Sequence, residues 1–247
     1  MDTLIRKVEE EIERGVTVHH SSAIREQYNS QGEFIAIDDY FSISLIDEMM
    51  SEVRSLQSHT NRNYIPSHKK GGSISYYTVK QFAPTIVSLY TSPRFKNWLS
   101  TVSGVSLQLC PEDDPHACAL YFYTEPGDHI GYHYDTSYYR GARYTVLIGL
   151  VDRSTSKLAC RLHTRNPLKE VTELSLSTGA GSFIFFNGDQ VHHAVTPLGE
   201  NEERIVLTLQ YVTDPHMNFL KRWFSNLKDA VGYFGLPALV RRPSSRG

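Results

Sequence analysis

Apolar residues recur at helical spacing in the first third of the chain. TLIRKVEEEIERG carries its apolar residues on one helical face, and Gly15 is predicted as its C-cap. SLIDEMMSEVRSL predicts a second helix with Ser44 as its N-cap. SPRFKNWLSTVSG predicts a third helix that begins near Pro93 and ends near Gly104. Between the second and third helices, residues 67–77 (SHKKGGSISYY) are interpreted as a surface loop, with a mobile lid as the alternative.

From about residue 105 the pattern changes to short runs rich in β-branched and aromatic residues. Gly, Pro, Asn and Asp separate the runs ALYFYTEPG, RYTVLIGLVD, KLACRLHT, GSFIFFNGD and RIVLTLQYVT, and the earlier EFIAIDDYF alternates like a strand. Short strands at roughly even spacing predict a sandwich or a barrel-like jelly roll. NFLKRWFSNLKDAVGYFG predicts a final helix, whose apolar stripe packs on the barrel or forms a dimer contact.

These patterns predict a single domain over residues 1–247 that is mainly β with flanking helices, of the α+β class. We expect a mostly helical support region over 1–104, a jelly-roll core over 105–213, and a C-terminal helix and tail over 214–247.

Composition narrows the choice of partner and compartment. The net charge of −2 from 25 basic and 27 acidic residues argues against a nucleic acid or an anionic membrane as the main partner. The odd count of three cysteines, without metal-finger spacing, predicts reduced thiols at Cys110, Cys118 and Cys160. The N-terminus lacks the apolar region of a secretory signal, and no apolar run approaches the length of about eighteen residues that a membrane span needs. We therefore expect a soluble, cytoplasmic protein.

Two short segments carry the candidate chemistry. In an extended chain residues i and i+2 share a face, so His133 and Asp135 of GYHYDTSYYRG can converge on one point. His192 and His193 of QVHHAVTPLG are adjacent, so they face opposite ways on a strand and only one can join that point. Two imidazoles and one carboxylate form the facial triad that binds Fe(II) and leaves positions open. The alternative is a His–Asp hydrogen bond in a loop, with a structural histidine elsewhere.

The order of these and neighbouring motifs resembles the iron(II)- and 2-oxoglutarate-dependent dioxygenases, and most closely their prolyl-4-hydroxylase-like branch. The similarity covers residues 118–212. Its elements in order are Glu125-Pro126-Gly127, His133-x-Asp135, Tyr144-Thr145-Val146-Leu147, His193-Ala194-Val195-Thr196-Pro197 and Arg204.

The resemblance implies a double-stranded β-helix (a cupin-like jelly roll) that uses Fe(II), 2-oxoglutarate and O2. It assigns the metal to His133, Asp135 and His193, and leaves His192 behind the site or on the outer sheet face. It also implies that Arg204 grips the distal carboxylate of 2-oxoglutarate, for which a guanidinium fork is suited; the alternative is a surface arginine.

One departure leaves a second contact to that carboxylate open. The family often has Tyr before x-P-G, where this chain has Thr124, while Tyr123 and Tyr121 lie close by with alternate facing. Either Thr124 makes the contact or one of the tyrosines does.

Four further residues are candidates for contact with the substrate. Tyr138 and Arg143 lie in TSYYRGAR, which is either a substrate loop or a polar turn. Arg161 lies on KLACRLHT, where a solvated edge arginine is the alternative, and Gln210 shares the strand face of Arg204.

The implied activity is oxidation of an unactivated C–H bond, with release of succinate and CO2. Because a carboxylate occupies position 135, hydroxylation, desaturation or ring closure is expected rather than halogenation. We expect a small polar metabolite as substrate, such as a free amino acid or a biosynthetic intermediate, and a monomer or homodimer. The alternatives are a protein side-chain (prolyl-type) hydroxylase, a non-catalytic jelly-roll binding module, or a cupin-like isomerase or lyase that uses no O2.

Overall fold

The computed structural model describes residues 2–135 and 139–216 of the chain. The helices are α1 (Asp2–Val18), α2 (Ser21–Ser30), α3 (Ile43–Leu56), α4 (Tyr76–Phe82), α5 (Pro84–Thr91) and α6 (Pro93–Ser103), with a 3-10 turn at Gln57–His59. The first six strands are β1 (Phe34–Ile37), β2 (Asn61–Ile65), β3 (Lys69–Ile74), β4 (Gln108–Leu109), β5 (Cys118–Tyr123) and β6 (His129–His133). The remaining six are β7 (Arg143–Arg153), β8 (Leu158–Leu162), β9 (Thr172–Leu176), β10 (Phe183–Asn187), β11 (His192–Val195) and β12 (Glu203–Val212).

Two predicted helix ends are wrong, and each has a local reason. Helix α1 continues past Gly15 to Val18. A Cβ at Gly15 would lie 2.5 Å from the ring of Tyr40, so this glycine permits close packing and does not end the helix. The N-cap of α3 is Ser42, whose hydroxyl accepts a hydrogen bond from the Leu45 amide at 3.2 Å, and Ser44 lies within the first turn.

The third predicted helix is confirmed in full. Helix α6 begins at Pro93, which needs no amide hydrogen at that position, and Gly104 ends it in the left-handed region with φ of 76°. The five β-rich runs after residue 105 and the earlier EFIAIDDYF all contain the predicted strands.

The interpretation of residues 67–77 as a loop or lid is wrong. Lys69–Ile74 form strand β3, which lies inside the sheet and pairs with β5, β6 and the hairpin partner β2. Two glycines and two lysines lower the intrinsic β-propensity of this segment, but pairing on both sides overrides it. The first 104 residues therefore contribute three strands to the sheet as well as the support helices.

The strands form one antiparallel sheet in the order β1-β10-β7-β12-β5-β3-β6-β11-β8-β9, with β4 added to β12. The sheet curves back on itself. This is evident from the side chains of its two halves, which pack together in one interior cluster. That cluster joins Tyr123, Ile184 and Phe186 from one half to Ile130 and Leu158 from the other. The curved sheet is the jelly roll that the strand pattern predicts.

The larger half of the sheet is buried on both faces. Along β12, Ile205, Leu207 and Leu209 pack in a second cluster with the helices. Val206 and Thr208 alternate with them and are buried on the opposite face of the sheet. Helices α1 to α6 contribute to that second cluster, so they support the barrel wall from outside. The interior is thereby left for the chemistry.

The remaining global predictions concern cysteines, membranes and the C-terminus. Cys110, Cys118 and Cys160 are buried and unbridged, as predicted. Over residues 2–135 and 139–216, no helix combines the length and the apolar character that crossing a membrane requires. The predicted C-terminal helix lies outside the described residues.

The assignment of Ser42 as the cap of α3 is testable by comparing two serines that are two residues apart. Ser42→Ala should lower the free energy of unfolding by about 1 kcal/mol, because the Leu45 amide loses its acceptor. Ser44→Ala is the control and should change stability by less than half of that amount. Urea denaturation of both variants measures the difference; equal effects would contradict the assignment.

Candidate active site

Strands β6 and β11 bring the predicted metal ligands together. The two strands are antiparallel neighbours, and His193 lies directly opposite His133 in the register. The register shifts between His193 and Val195, so that Val195 pairs with Ile130 and both of these apolar residues still face the interior. Asp135 follows two residues after His133, just beyond the end of β6.

The three side chains have the geometry of a metal site. One potential ligand atom from each of His133, Asp135 and His193 lies within 4.8 Å of the others. The Asp135 Oδ1 atom is 3.4 Å from Nε2 of His133 and 3.9 Å from Nε2 of His193. Over the described part of the chain, this is the only such group of His, Cys, Asp and Glu side chains.

Backbone carbonyls fix the tautomer of both histidines. Nδ1 of His133 lies 2.9 Å from the carbonyl oxygen of Gly131, and Nδ1 of His193 lies 3.2 Å from that of Val191. Because a carbonyl can only accept, each Nδ1 carries the proton and each Nε2 keeps its lone pair. Burial, reinforced by the nearby His133, lowers the pKa of His193 to about 4, so its ring is neutral at neutral pH. Both Nε2 atoms are thus ready to bind a metal ion.

Asp135 is held as a carboxylate. Its burial opposes ionisation, but attraction to the imidazoles of His193 and His133 whenever these are protonated, together with the hydrogen bond from the Thr145 hydroxyl, holds its pKa well below the usual range. The Thr145 hydroxyl donates to Oδ2 of Asp135 at 2.6 Å and lies 3.1 Å from the Gln210 side-chain amide. The atom that Thr145 meets on Gln210 is Oε1, and because the hydroxyl has one proton it can donate to only one of Asp135 and Gln210 at a time.

Gly188 contacts the backbone and Cβ of Asp135 and thereby sets its position. The carbonyl oxygen of Gly188 accepts a hydrogen bond from the Asp135 amide at 3.0 Å. A Cβ at Gly188 would lie 2.7 Å from Cβ of Asp135 and 3.0 Å from its carbonyl oxygen. No local sequence pattern indicates this role of Gly188, because the requirement comes from a contact between segments 53 residues apart.

His192 faces away from the metal site, on the outer surface of the same strand. Its ring stacks on Tyr134 with centroids 4.7 Å apart, and Tyr134 is the residue between His133 and Asp135. The Tyr134 hydroxyl is in turn hydrogen-bonded to Thr164 at 2.8 Å. His192 therefore supports the strand pair from outside and makes no direct contribution to the triad.

Arg204 lies on the interior face of β12 and is almost fully buried, with 1 % of its surface exposed. Its Nε donates to the Thr178 hydroxyl at 2.8 Å and one Nη lies 3.4 Å from the Ser156 hydroxyl. Tyr123 is its register partner on β5, and the guanidinium carbon is 5.5 Å from the centre of the Tyr123 ring. Burial lowers the pKa of Arg204 without removing its charge.

The neighbouring candidates for the cosubstrate differ in their surroundings. Thr124 is exposed, and its hydroxyl accepts a hydrogen bond from Arg62 at 3.1 Å, so it has no contact with Arg204. Tyr123 and Tyr121 both belong to the interior cluster or pack against it. Of the three candidates, the two tyrosines lie at the interior cluster, whereas Thr124 is exposed.

The three candidate substrate residues that the structure describes have different surroundings. Gln210 is buried and is linked to Asp135 through Thr145. Arg143 is buried and paired with Asp114 at 2.8 Å, which makes it a structural anchor. Arg161 points outward, paired with Glu173 at 2.9 Å, as in the edge-arginine alternative. Tyr138 lies outside the described residues.

Comparisons with solved structures show a common fold. A prolyl hydroxylase from Trichoplax adhaerens in complex with a hypoxia inducible factor peptide fragment is 14 % identical, with a TM-score of 0.64, over 89 % of this chain and 96 % of that one. The epimerase SnoN, in complex with Fe3+, alpha ketoglutarate and nogalamycin RO, is 12 % identical with a TM-score of 0.65, over 92 % of this chain and 91 % of that one. An oxidoreductase of the 2OG-Fe(II) oxygenase family from Burkholderia pseudomallei is 13 % identical with a TM-score of 0.60, over 81 % of this chain and 95 % of that one.

The chain has the fold of the 2-oxoglutarate/Fe(II) oxygenases. This confirms the double-stranded β-helix that the sequence resemblance implies. No protein-family model and no curated protein sequence matches the chain, so the likeness is one of fold at low identity.

His192 and His193 face opposite sides of β11, so alanine variants of the two residues should differ in metal affinity. His193→Ala should weaken Mn(II) binding at least a hundredfold, because it removes one of three ligands. His192→Ala should weaken it by no more than about tenfold, since only an outer support is lost. Anaerobic calorimetric titration measures both affinities. The reverse order would mean that His192 enters the site.

Gly188→Ala should weaken Mn(II) binding about tenfold or more, because its Cβ would displace Asp135. Gly179→Ala is the matched control, since a Cβ there would meet no atom within 4 Å. The same titration, with circular dichroism to verify folding, separates a local effect from loss of structure. Equal metal affinities in the two variants would remove Gly188 from this role.

Proposed function

We propose that the chain is an iron(II)- and 2-oxoglutarate-dependent oxygenase that oxidises a C–H bond of a small polar molecule. The observation that carries the proposal is that a metal triad and a buried arginine line one barrel interior. The triad alone would fit several metal-binding jelly rolls. A metal isomerase or lyase needs no anchor for an oxoacid, and neither does a binding module.

Arg204 fits the anionic end of a cosubstrate. Among residues 2–135 and 139–216, no carboxylate forms an ion pair with Arg204, and its two hydrogen-bond partners are the neutral hydroxyls of Thr178 and Ser156. The carboxylate of Asp152, the register partner of Arg204 on β7, attracts the guanidinium without forming an ion pair with it. A buried charge that has no directly bound counter-charge is costly, so an arginine here is best explained by an anion that arrives with the ligand. The distal carboxylate of 2-oxoglutarate supplies that anion, and Tyr123 is placed beside it.

The residues of the site then have separate tasks. His133, Asp135 and His193 would hold Fe(II) on one side and leave the remaining positions open. When bound, iron supplies the redox chemistry with O2, in which 2-oxoglutarate gives succinate and CO2 while the substrate is oxidised. Thr145 keeps Asp135 oriented. Apolar interior side chains exclude water from the reaction; they are Ile130, Leu147, Phe186 and Val195.

Support for a small substrate comes from the composition and from one structural neighbour. The near-neutral charge gives no basic face for a nucleic acid. The SnoN structure holds the small molecule nogalamycin RO, whereas the prolyl hydroxylase structure holds a peptide fragment. A protein side-chain hydroxylase is therefore the second candidate, and a test must include peptides as well as metabolites.

The function is tested by measuring succinate release from 2-oxoglutarate with Fe(II), O2 and a panel of candidate substrates. The panel contains free amino acids, polar biosynthetic intermediates and proline-containing peptides. Succinate formed in proportion to an oxidised small molecule would support the proposal. Stimulation by peptides alone would favour the second candidate. A wild-type protein that binds metal but no 2-oxoglutarate would identify a binding module.

Arg204→Met should weaken 2-oxoglutarate binding thirty- to a hundredfold, because the charge-assisted contacts of the guanidinium are lost; their loss costs about 2–3 kcal/mol. Mn(II) binding should be unchanged, since Arg204 is not a ligand. Arg161→Met is the control, because that arginine faces outward. Calorimetry on the Mn(II)-loaded protein measures the constant. An unchanged affinity in Arg204→Met would show that another cation holds the carboxylate.

A further inference from the structure

The turn from Asn187 to Val191 connects strand β10 to strand β11 and contacts two of the three metal ligands. The carbonyl oxygen of Gly188 accepts a hydrogen bond from the Asp135 amide at 3.0 Å. The carbonyl oxygen of Val191 accepts one from Nδ1 of His193 at 3.2 Å. A change in the path of this turn would therefore move the backbone of one ligand and rotate the ring of another.

Asn187 fixes this turn with both its backbone and its side chain. Its carbonyl oxygen accepts hydrogen bonds from the amides of Gln190 at 3.0 Å and Val191 at 3.1 Å. Its side-chain Oδ1 accepts one from the Asp189 amide at 3.0 Å, which is the local contact that asparagine commonly makes at a turn. Asn187 is buried, so water has little access to these contacts. The orientation of its side-chain amide therefore decides whether the beginning of the turn is held.

Glu33 binds the other end of that side-chain amide. It lies between α2 and β1, and it continues the ladder in which Phe34 pairs with Phe186. Its carbonyl oxygen accepts the backbone amide of Asn187 at 3.0 Å, and its carboxylate Oε2 accepts Nδ2 of Asn187 at 2.7 Å. Nδ2 also lies 3.4 Å from the Tyr144 hydroxyl. Because a carboxylate can only accept, Glu33 directs Nδ2 toward itself and leaves Oδ1 facing the turn.

The backbone of Glu33 adopts a conformation that is unfavourable for a glutamate. Its φ is 63°, in the left-handed region that residues with a side chain seldom adopt. This conformation turns the chain from α2 into β1, and a glycine or an asparagine would adopt it at less cost. Backbone strain of this kind persists where other contacts require the residue. The carboxylate that Glu33 presents to Asn187 is such a contact, whereas the turn out of α2 needs only the backbone.

We propose that Glu33 and Asn187 are positioning residues for the metal site and act through the turn of residues 187–191. The inference rests on the metal site of the proposed function and extends it to the N-terminal support region, since the two residues lie 154 positions apart in sequence. The pair holds the two carbonyl oxygens of the turn where the Asp135 amide and the His193 ring meet them. Loss of the pair should weaken metal binding without abolishing it, because all three ligands remain.

The proposal is tested by exchanging the two chemical groups of the pair. Asn187→Asp places a second carboxylate against that of Glu33, so the contact becomes repulsive. Adding Glu33→Gln restores the contact in the reverse direction, because the new amide donates to the new carboxylate, and the double variant keeps the wild-type net charge. Asn187→Ala removes the contact without adding a charge that would itself attract a metal ion. Asn166→Ala is the matched control, since Asn166 accepts the Leu168 amide at 3.0 Å in the same kind of turn, in the exposed connection between β8 and β9.

Two readouts report on the metal site itself. Calorimetric titration with Mn(II), at a temperature well below the thermal midpoint of every variant, measures affinity, and the visible absorption of the Co(II)-loaded protein reports the arrangement of the ligands. Asn187→Ala and Asn187→Asp should each weaken Mn(II) binding about tenfold or more and alter the Co(II) spectrum. Asn166→Ala should leave both unchanged. The double variant of Glu33 and Asn187 should recover most of the affinity that Asn187→Asp loses, together with the wild-type spectrum.

Mn(II) affinities of both Asn187 variants that equal that of Asn166→Ala would overturn the proposal, and a lowered thermal midpoint with those equal affinities would make the pair purely structural. A double variant that binds Mn(II) no better than Asn187→Asp would also overturn it, because the effect would then not depend on the contact with Glu33. Failure of the proposed function is distinguishable: the Mn(II)-loaded wild-type protein would then bind no 2-oxoglutarate, while the metal affinities of the variants would still report on the pair.

Discussion

The antiparallel pairing of β6 with β11 is the interaction on which the site depends. It places His193 opposite His133 and fixes which residue of the His192–His193 pair faces the interior. A slip of one residue would exchange the two histidines, because successive side chains on a strand face opposite ways. The register is stabilised on both sides of the sheet: by Val195 and Ile130 in the interior cluster, and by the stack of His192 on Tyr134 outside.

Closure of the sheet adds the second constraint, which is that charged groups share a low-dielectric interior. Arg204 is buried and Asp135 is mostly shielded from solvent, and each would be replaced by an apolar residue if packing alone mattered. Hydrogen bonds and tautomers around the triad suit a cation, and the buried guanidinium of Arg204 suits the anion that we propose for it. Buried groups of opposite charge therefore share the barrel interior, and this organisation distinguishes it from a simple apolar core.

Much of the fold and the triad could be predicted from sequence because local rules and motif order agreed. Opposite facing on a strand separates His192 from His193, and the pattern around Pro197 and Arg204 selects between them. Local rules failed where a distant contact decides the outcome. Gly15 resembles a helix end, but it makes room for Tyr40.

The segment around Lys69 shows the same limit more strongly. Its lysines and glycines are typical of a loop, and only pairing with β5 and β6 makes it a buried strand. Two further roles depend on segments far away in sequence. Gly188 must lack a side chain because Asp135 packs against it, and Asp114 forms an ion pair with Arg143. Thr124 was a candidate because of its position in the motif, yet the turn that follows β5 directs it to Arg62.

The most direct test of the central claim is the anaerobic absorption spectrum of the Fe(II)-loaded protein during addition of 2-oxoglutarate. If His133, Asp135 and His193 hold iron with adjacent open positions and Arg204 orients the oxoacid, chelation should produce a weak visible charge-transfer band that saturates with 2-oxoglutarate. The band should be absent in His193→Ala and retained in His192→Ala. Iron that stays bound to the wild-type protein while no band forms at saturating 2-oxoglutarate would contradict the account.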